Sequence, residues 1–212
     1  KAIKNKSNLF RYEKFLAQNY NYNISQKYHK LLKWSVDNPN NFWSSIWDFT
    51  KTKGKKNFKF RYSKNLINSR FLMDSKLNFA ENLLSKNDNT KAITFISENG
   101  YKEIRTWSQL NSNTSKIIEF FKINKIKKND RVAAYLANTI ETVENFIATV
   151  SVGAIWSSCS PDFGINGVIE RFSQIKPKLL IISDRYYYNG KEINVLERLP
   201  AILKKIKSIK KV

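Results

Sequence analysis

The sequence predicts an α/β fold in which a mostly parallel sheet is flanked by helices and preceded by a helical segment. Three observations carry this. From residue 91 onward, short β-rich runs alternate with apolar residues at helical spacing, the pattern of βαβ units. The stretch GAIWSSCSPDFGINGVIERFSQIKPK at 153–178, with KLLIISD at 178–184, reads as one complete unit: strand, turn, helix, strand. Residues 7–50, in contrast, show helical spacing throughout.

In the first segment, Ser7 is placed to cap a helix in which Leu9, Tyr12 and Leu16 share one face. NYNYN at 19–23 is a polar-aromatic loop. Ser25 is the expected cap of a second helix that turns Tyr28, Leu31 and Leu32 inward. Asp37, Asn38 and Pro39 mark a break, with Pro39 suited to a first helical turn. Phe42, Trp43, Ile46, Trp47 and Phe49 follow at helical spacing, which suits a packing face better than a base-stacking platform. His29 has no Cys or second His nearby, so a surface or structural role is expected of it. KTKGKKNFK at 51–59 reads as an exposed basic loop.

In the sheet domain, 91–97 and 101–107 form a hairpin about Glu98, Asn99 and Gly100. A helix from Ser108 places Leu110, Thr114, Ile117, Ile118 and Phe121 on one face. RVAAYLA at 131–137 is a buried strand. Asn138 with Glu141 is a helix-start signature, ahead of a face of Ile140, Val143, Phe146, Ile147 and Val150. The run 155–160 is a buried strand; Ser160, Pro161, Asp162 and Gly164 are turn formers; a helix with Ile165, Val168, Ile169, Phe172 and Ile175 inward stops at Pro177. Pro200 starts a last helix with Ile202, Leu203, Ile206 and Ile209 inward, and Lys211 and Val212 look like the opening of another strand. The turn at 160–164 lies at the carboxyl end of a strand, where open parallel sheets place their ligands.

Net charge is +21. A polyanion partner would exploit it, but the lysines are scattered and accompanied by abundant Asn and Ile, as compositional bias produces. The one cysteine, Cys159, excludes an internal disulfide and a Cys-based zinc site, and it reads as a small buried hydrophobe. No apolar run approaches the ~18 residues of a membrane helix, and KAIKNKSNLFRY at 1–12 is not a secretory signal, so a cytoplasmic location is expected.

The run GAIWSSCSPDFG, the RFSQI segment and the following Pro-Lys resemble the adenylate-forming acyl-CoA synthetases, in their acetoacetate-activating branch. An acetate-activating member would carry a His near Trp156 and a Gly-Gly pair near Pro161 and Asp162, and neither stands here. LLKWSVDNPNNFWSSIWDF resembles the helical cap of that superfamily, and FLMDSKLNFAENLL its connector. The resemblance implies a helical cap and connector over 1–87 and the first part of an AMP-binding (adenylation) domain over 88–212. It implies an acid–thiol ligase that activates acetoacetate with ATP to acetoacetyl-AMP, releases pyrophosphate, and passes the acyl group to CoA with release of AMP. ATP, CoA and Mg2+ would serve the complete enzyme; acetoacetate, ATP and CoA are its small-molecule partners. Neither nucleic acid nor membrane is expected, and the oligomeric state is left open. An acetate- or propionate–CoA ligase of the same superfamily is the alternative. A basic nucleic-acid-binding module is the alternative from another class. The phosphate-binding loop and the adenine-binding strand that the chemistry needs are not found, nor is GxGxxG or GxxxxGK[ST]. No catalytic or metal residue is therefore assigned, and the chain is expected to be an amino-terminal piece that is inactive alone.

Candidate binding residues also follow from the resemblance. Tyr188, Asn189, Gly190 and Lys191 stand where related acetyl-CoA synthetases carry an Arg-x-Gly-Arg-like run against the 3′-phosphate end of CoA. Lys191 supplies charge, Gly190 allows close approach, and Tyr188 replaces the first Arg; an exposed loop with an incidental Lys is the competing reading. Asp162 and Phe163 match a turn that lines the CoA channel, although Asp162 equally reads as a helix cap. Trp156 is a pocket candidate or a core residue.

Overall fold

The computed structural model describes residues 7–57 and 59–212, and only the backbone of Leu66. Residues 1–6 of the opening stretch and Phe58 of the basic loop lie outside the described residues. The chain divides into two compact units, Lys1–Leu77 and Asn78–Val212.

The first unit contains α1 (Asn8–Asn19), α2 (Tyr28–Asp37) and α3 (Pro39–Phe49). Ser7 caps α1, accepting from the Phe10 N–H at 3.2 Å. Tyr12 and Leu16 are buried, but Leu9 is exposed, so the inward face begins one turn later than the spacing suggested. Ser25 does not cap α2. Its hydroxyl donates to Glu13 Oε1 at 3.3 Å, and α2 begins at Tyr28 without a side-chain cap. With the start displaced, Leu31 and Trp34 point inward while Tyr28 and Leu32 face solvent. Glu13 is itself buried, and Tyr22 of the polar loop is drawn in to donate to it at 3.1 Å, because a buried carboxylate without partners is costly. Pro39 opens α3 as expected. Phe42, Ile46 and Phe49 pack on the Tyr12/Leu16 cluster and Trp47 is buried, so the aromatic run is a core face; Trp43 alone is largely exposed. His29 is exposed.

Beyond α3 the loop is largely exposed, and it leads into a strand pair that the sequence did not announce: β1 (Lys59–Arg61) and β2 (Arg70–Met73), antiparallel. Gly54 is required where this loop meets the chain after β2, since a Cβ there would stand 2.5 Å from the Lys76 carbonyl oxygen.

The second unit opens with α4 (Phe79–Leu83), capped by Asn78, whose side-chain oxygen accepts from Ala80 and Glu81. The Asn78 amide also donates to the Val150 and Ser151 carbonyls at 3.0 and 3.1 Å, which fastens this connector to the end of a later helix. The hairpin is β3 (Lys91–Ile96) and β4 (Lys102–Thr106). Helix α5 (Trp107–Ile123) starts in a capping box of Thr106 and Gln109, one residue before the expected Ser108.

The parallel sheet runs β6 (Ile155–Cys159), β5 (Arg131–Tyr135), β7 (Leu179–Ile182), with β5 central. Both pairings are parallel, in register Val132↔Trp156 and Val132↔Leu179. Lys211 continues the sheet through a parallel bridge to Leu179. Successive residues point to opposite faces. Val132 and Leu179 pack on Phe121 and Ala148, from α5 and from α6 (Ile140–Ser151). Ala133, Tyr135 and Leu180 pack on Val168 and Phe172 of α7 (Ile165–Ile175) and on Ile202 of α8 (Leu199–Lys205). Helices therefore cover both faces, as right-handed crossovers require.

Several expectations need correction. Strand β6 is not buried along its length: among the described residues it is an edge, and Ile155 is 49% exposed. The cap of α6 is Thr139, not Asn138, and it makes no side-chain cap bond. Val143 faces solvent, and its place in the buried layer is taken by Glu144, which Arg105 and Asn113 both reach at 2.8 Å. Helix α8 ends at Lys205, so Ile206 and Ile209 pack from the segment beyond it. Among the described residues, no helix is long and apolar enough to cross a membrane.

Candidate functional site

At the carboxyl ends of β5 and β6 the chain makes the turn Ser160–Phe163, and it is held from several sides. Ser160 donates to Asp162 Oδ2 at 2.7 Å, and the Phe163 N–H donates to the Ser160 carbonyl at 3.1 Å. Below it the fully buried Tyr135 donates to the Phe163 carbonyl at 2.6 Å. Arg198, just ahead of α8, donates to the Pro161 carbonyl at 2.6 Å and also to the Tyr135 oxygen. Asp162 does not cap α7; Gly164 is the cap residue and offers no side chain. The Asp162 carboxylate instead accepts from Tyr186 at 2.8 Å. Burial, and then the hydrogen bond to Asp162, push the Tyr186 hydroxyl up to about 12. The Phe163 ring lies outside this network, with the Arg171 guanidinium 4.0 Å from its centroid.

Tyr186 belongs to a second hairpin, β8 (Arg185–Tyr188) and β9 (Lys191–Asn194). The run Tyr188–Lys191, for which coenzyme contact and an exposed loop were the two readings, is the tip of that hairpin. Tyr188 pairs with Lys191, and Asn189 (φ 51°) and Gly190 (φ 70°) form the two-residue turn. Both have left-handed backbones, which Gly adopts without penalty and Asn more readily than other side chains. The Asn189 and Gly190 N–H groups donate to Glu98 Oε2 and Oε1, each at 2.9 Å. Glu98 sits in the turn of the first hairpin.

The β8–β9 hairpin forms a wall between two cavities. One, of 240 Å³, is lined by Asn138, Cys159, Asp162 and Tyr188 among others. The other, of 360 Å³, is lined from one side by Phe95, Ser97 and Tyr101 and from the other by Ser183 and Arg185. Leu136, Ala137, Tyr186 and Tyr187 line both. The smaller cavity thus brings together Asp162 and Tyr188, which the sequence named from separate stretches. Asn189, Gly190 and Lys191 stand at the exposed tip. Trp156 points to the α5/α6 layer with its ring 6.0 Å from that of Phe146, and it lines neither cavity. Burial pushes the Cys159 thiol up, which suits a cavity floor rather than a nucleophile.

The residues that the sequence reading missed are Tyr135, Arg198, Tyr186 and Glu98. A signal for the hairpin was present: Asn-Gly between two strand-like runs, YYY and KEIN, is a strong two-residue turn cue. No local pattern pointed to Arg198 or Glu98.

A family model described as AMP-binding enzyme matches residues 80–212. Over 174 residues the chain is 41% identical to the acetoacetyl-coenzyme A synthetase of Rhizobium meliloti (strain 1021), an alignment covering 82% of this chain and 27% of that protein. Over 194 residues it is 40% identical to the acetoacetyl-CoA synthetase of Xenopus tropicalis, covering 87% of this chain and 28% of that one. The chain therefore spans little more than a quarter of the length of these relatives. The solved acetoacetyl-CoA synthetase from Streptomyces lividans superposes with a TM-score of 0.90 at 24% identity, over 98% of this chain and 33% of that one, which shows a shared fold.

Proposed function

The chain belongs to the AMP-binding enzyme family, and on that premise we propose that it forms the amino-terminal part of an acetoacetate–CoA ligase. In this reading the complete enzyme activates acetoacetate with ATP to acetoacetyl-AMP and passes the acyl group to CoA. Residues 1–87 serve as cap and connector, and 88–212 as the first part of the adenylation domain. The acyl assignment is supported by relatives that carry that name at 41% and 40% identity. A cytoplasmic location suits a chain whose one thiol, Cys159, is buried and makes no disulfide.

The observation that carries the site is the meeting of Asp162 and Tyr188 on one cavity at the strand ends. CoA fits what surrounds it. Lys191 offers a cation, the Asn189–Gly190 tip offers backbone N–H groups, and the tyrosines offer apolar walls with polar edges. We assign the 3′-phosphate of CoA to Tyr188, Asn189, Gly190 and Lys191, and the entrance of the thiol-bearing arm to Asp162 and Phe163. Trp156 packs in the layer under α5 and α6, lines neither cavity, and is given no part in coenzyme binding. No step involving ATP or Mg2+ is assigned to residues of this chain, because its sequence contains no phosphate-binding loop. When bound, they supply the leaving group and the charge neutralisation for the activation step.

Calorimetric titration of CoA and of 3′-dephospho-CoA tests the site. CoA is expected to bind roughly tenfold tighter, about 1.4 kcal/mol, and Lys191→Ala is expected to erase that difference. Equal affinities in the unaltered protein would remove the phosphate assignment. Coupled assays of the complete enzyme with acetoacetate, acetate and propionate test the acyl group; a preference for acetate would overturn it.

A further inference from the structure

The contact between Glu98 and the Asn189–Gly190 tip goes beyond the coenzyme reading while resting on it. The Glu98 carboxylate takes one N–H from each tip residue, each at 2.9 Å, so its two oxygens span the turn as a single anion. Its own hairpin does not need it. That turn is closed by the Gly100 N–H on the Ser97 carbonyl at 3.0 Å, by the Ser97 N–H on the Tyr101 carbonyl at 2.9 Å, and by the Tyr101 N–H on Asn99 Oδ1 at 3.1 Å. Successive N–H groups turned to one side form a concavity that takes carboxylate and phosphate alike.

We propose that the Asn189–Gly190 tip is a phosphate-monoester site whose resting occupant is the chain's own Glu98, displaced when the phosphate of the incoming coenzyme binds. Glu98, Asn189 and Gly190 are all exposed, so the contact is screened by water and gives way readily to a doubly charged ligand. The displacement also has a place to act. The 360 Å³ cavity is walled on one side by Ser97, Asn99 and Tyr101, the neighbours of Glu98, and on the other by Tyr186 and Tyr187 of the tip's own hairpin. Glu98 thus bridges the two hairpins that enclose this cavity. Release frees the tip, while the base of the hairpin stays tied through Tyr186 and Asp162.

Glu98→Gln and Glu98→Ala test this, with CoA, 3′-dephospho-CoA and inorganic phosphate as probes in calorimetry. Removing the internal competitor is expected to raise affinity for CoA and for inorganic phosphate roughly three- to tenfold, and to leave dephospho-CoA unchanged. Amide exchange at Asn189 and Gly190 is expected to speed up in both variants and to slow again on addition of CoA, a readout independent of affinity. If the unaltered protein binds CoA better than dephospho-CoA but neither substitution improves CoA or phosphate binding, the competitor role is wrong and the coenzyme site stands. If all three proteins treat CoA and dephospho-CoA alike, the coenzyme site itself is wrong and this inference falls with it.

Discussion

Two turns meet the same hairpin, and they are held in opposite ways. Ser160–Phe163 is held from inside the fold: the buried Tyr135 hydroxyl and the half-buried Arg198 guanidinium donate to its carbonyls. The Asn189–Gly190 tip is held from outside, by one exposed carboxylate on two N–H groups. Hydrogen bonds in a dry interior are strong and costly to leave unmade, whereas exposed ones exchange with water at little cost. The lesson is a division of labour across one cavity wall. The 160–163 turn is fixed from within the fold, and the tip by a contact that water can replace.

This contrast can be broken or sharpened by substitution. The largest effect is expected from Phe172→Ala, which empties a fully buried site in the core between α7 and the sheet; a loss of about 3–5 kcal/mol in denaturant unfolding is expected. Arg198→Ala strips the donor from the Pro161 carbonyl and should cost about 2 kcal/mol; Arg198→Lys should recover part of it, because the bonds to the turn all come from one nitrogen, Nη1, which an ammonium can replace in charge but not in reach. A negligible loss in Arg198→Ala would mean that the turn is not held from below.

Tyr186→Phe removes the bond that ties the base of the hairpin to the 160–163 turn and should cost about 1 kcal/mol at neutral pH. Its pH signature is specific. The folded-state hydroxyl is raised from near 10 to about 12, so its stabilisation is complete below pH 10 and is lost as pH rises through 12. Alkaline unfolding curves of the unaltered protein and of Tyr186→Phe should therefore converge across that window; parallel curves would contradict the assignment. The smallest effect concerns exchange alone. The Phe163 amide, bonded to the Ser160 carbonyl at 3.1 Å, should exchange more slowly than the Asn189 amide.

Much of the architecture was legible because it rests on short-range rules. The 3.6-residue spacing of Val168 and Phe172, the stop at Pro177 and the Glu98–Gly100 turn all sit where the sequence placed them. Reading failed where a side chain had two possible partners. Ser25 looked like a cap and instead serves the buried Glu13; Asp162 looked like a cap and instead receives Tyr186. In both cases a partner from another segment outcompeted the local one. The site was half legible: Asp162 and Tyr188 were named, but nothing in their own stretches indicated that they share a cavity.

Periodicity, turn chemistry and composition were enough to establish the alternation of strands and helices and the parallel sheet, since each depends on residues only a few positions apart. Strand order, with β5 rather than β6 in the middle, came only from the packed structure. So did the pairings of Glu98 with the hairpin tip and of Arg198 with the 160–163 turn. These join residues far apart in the chain, and they exist because the folded layers bring a charge and its complement together. No local pattern in the sequence encodes such a contact.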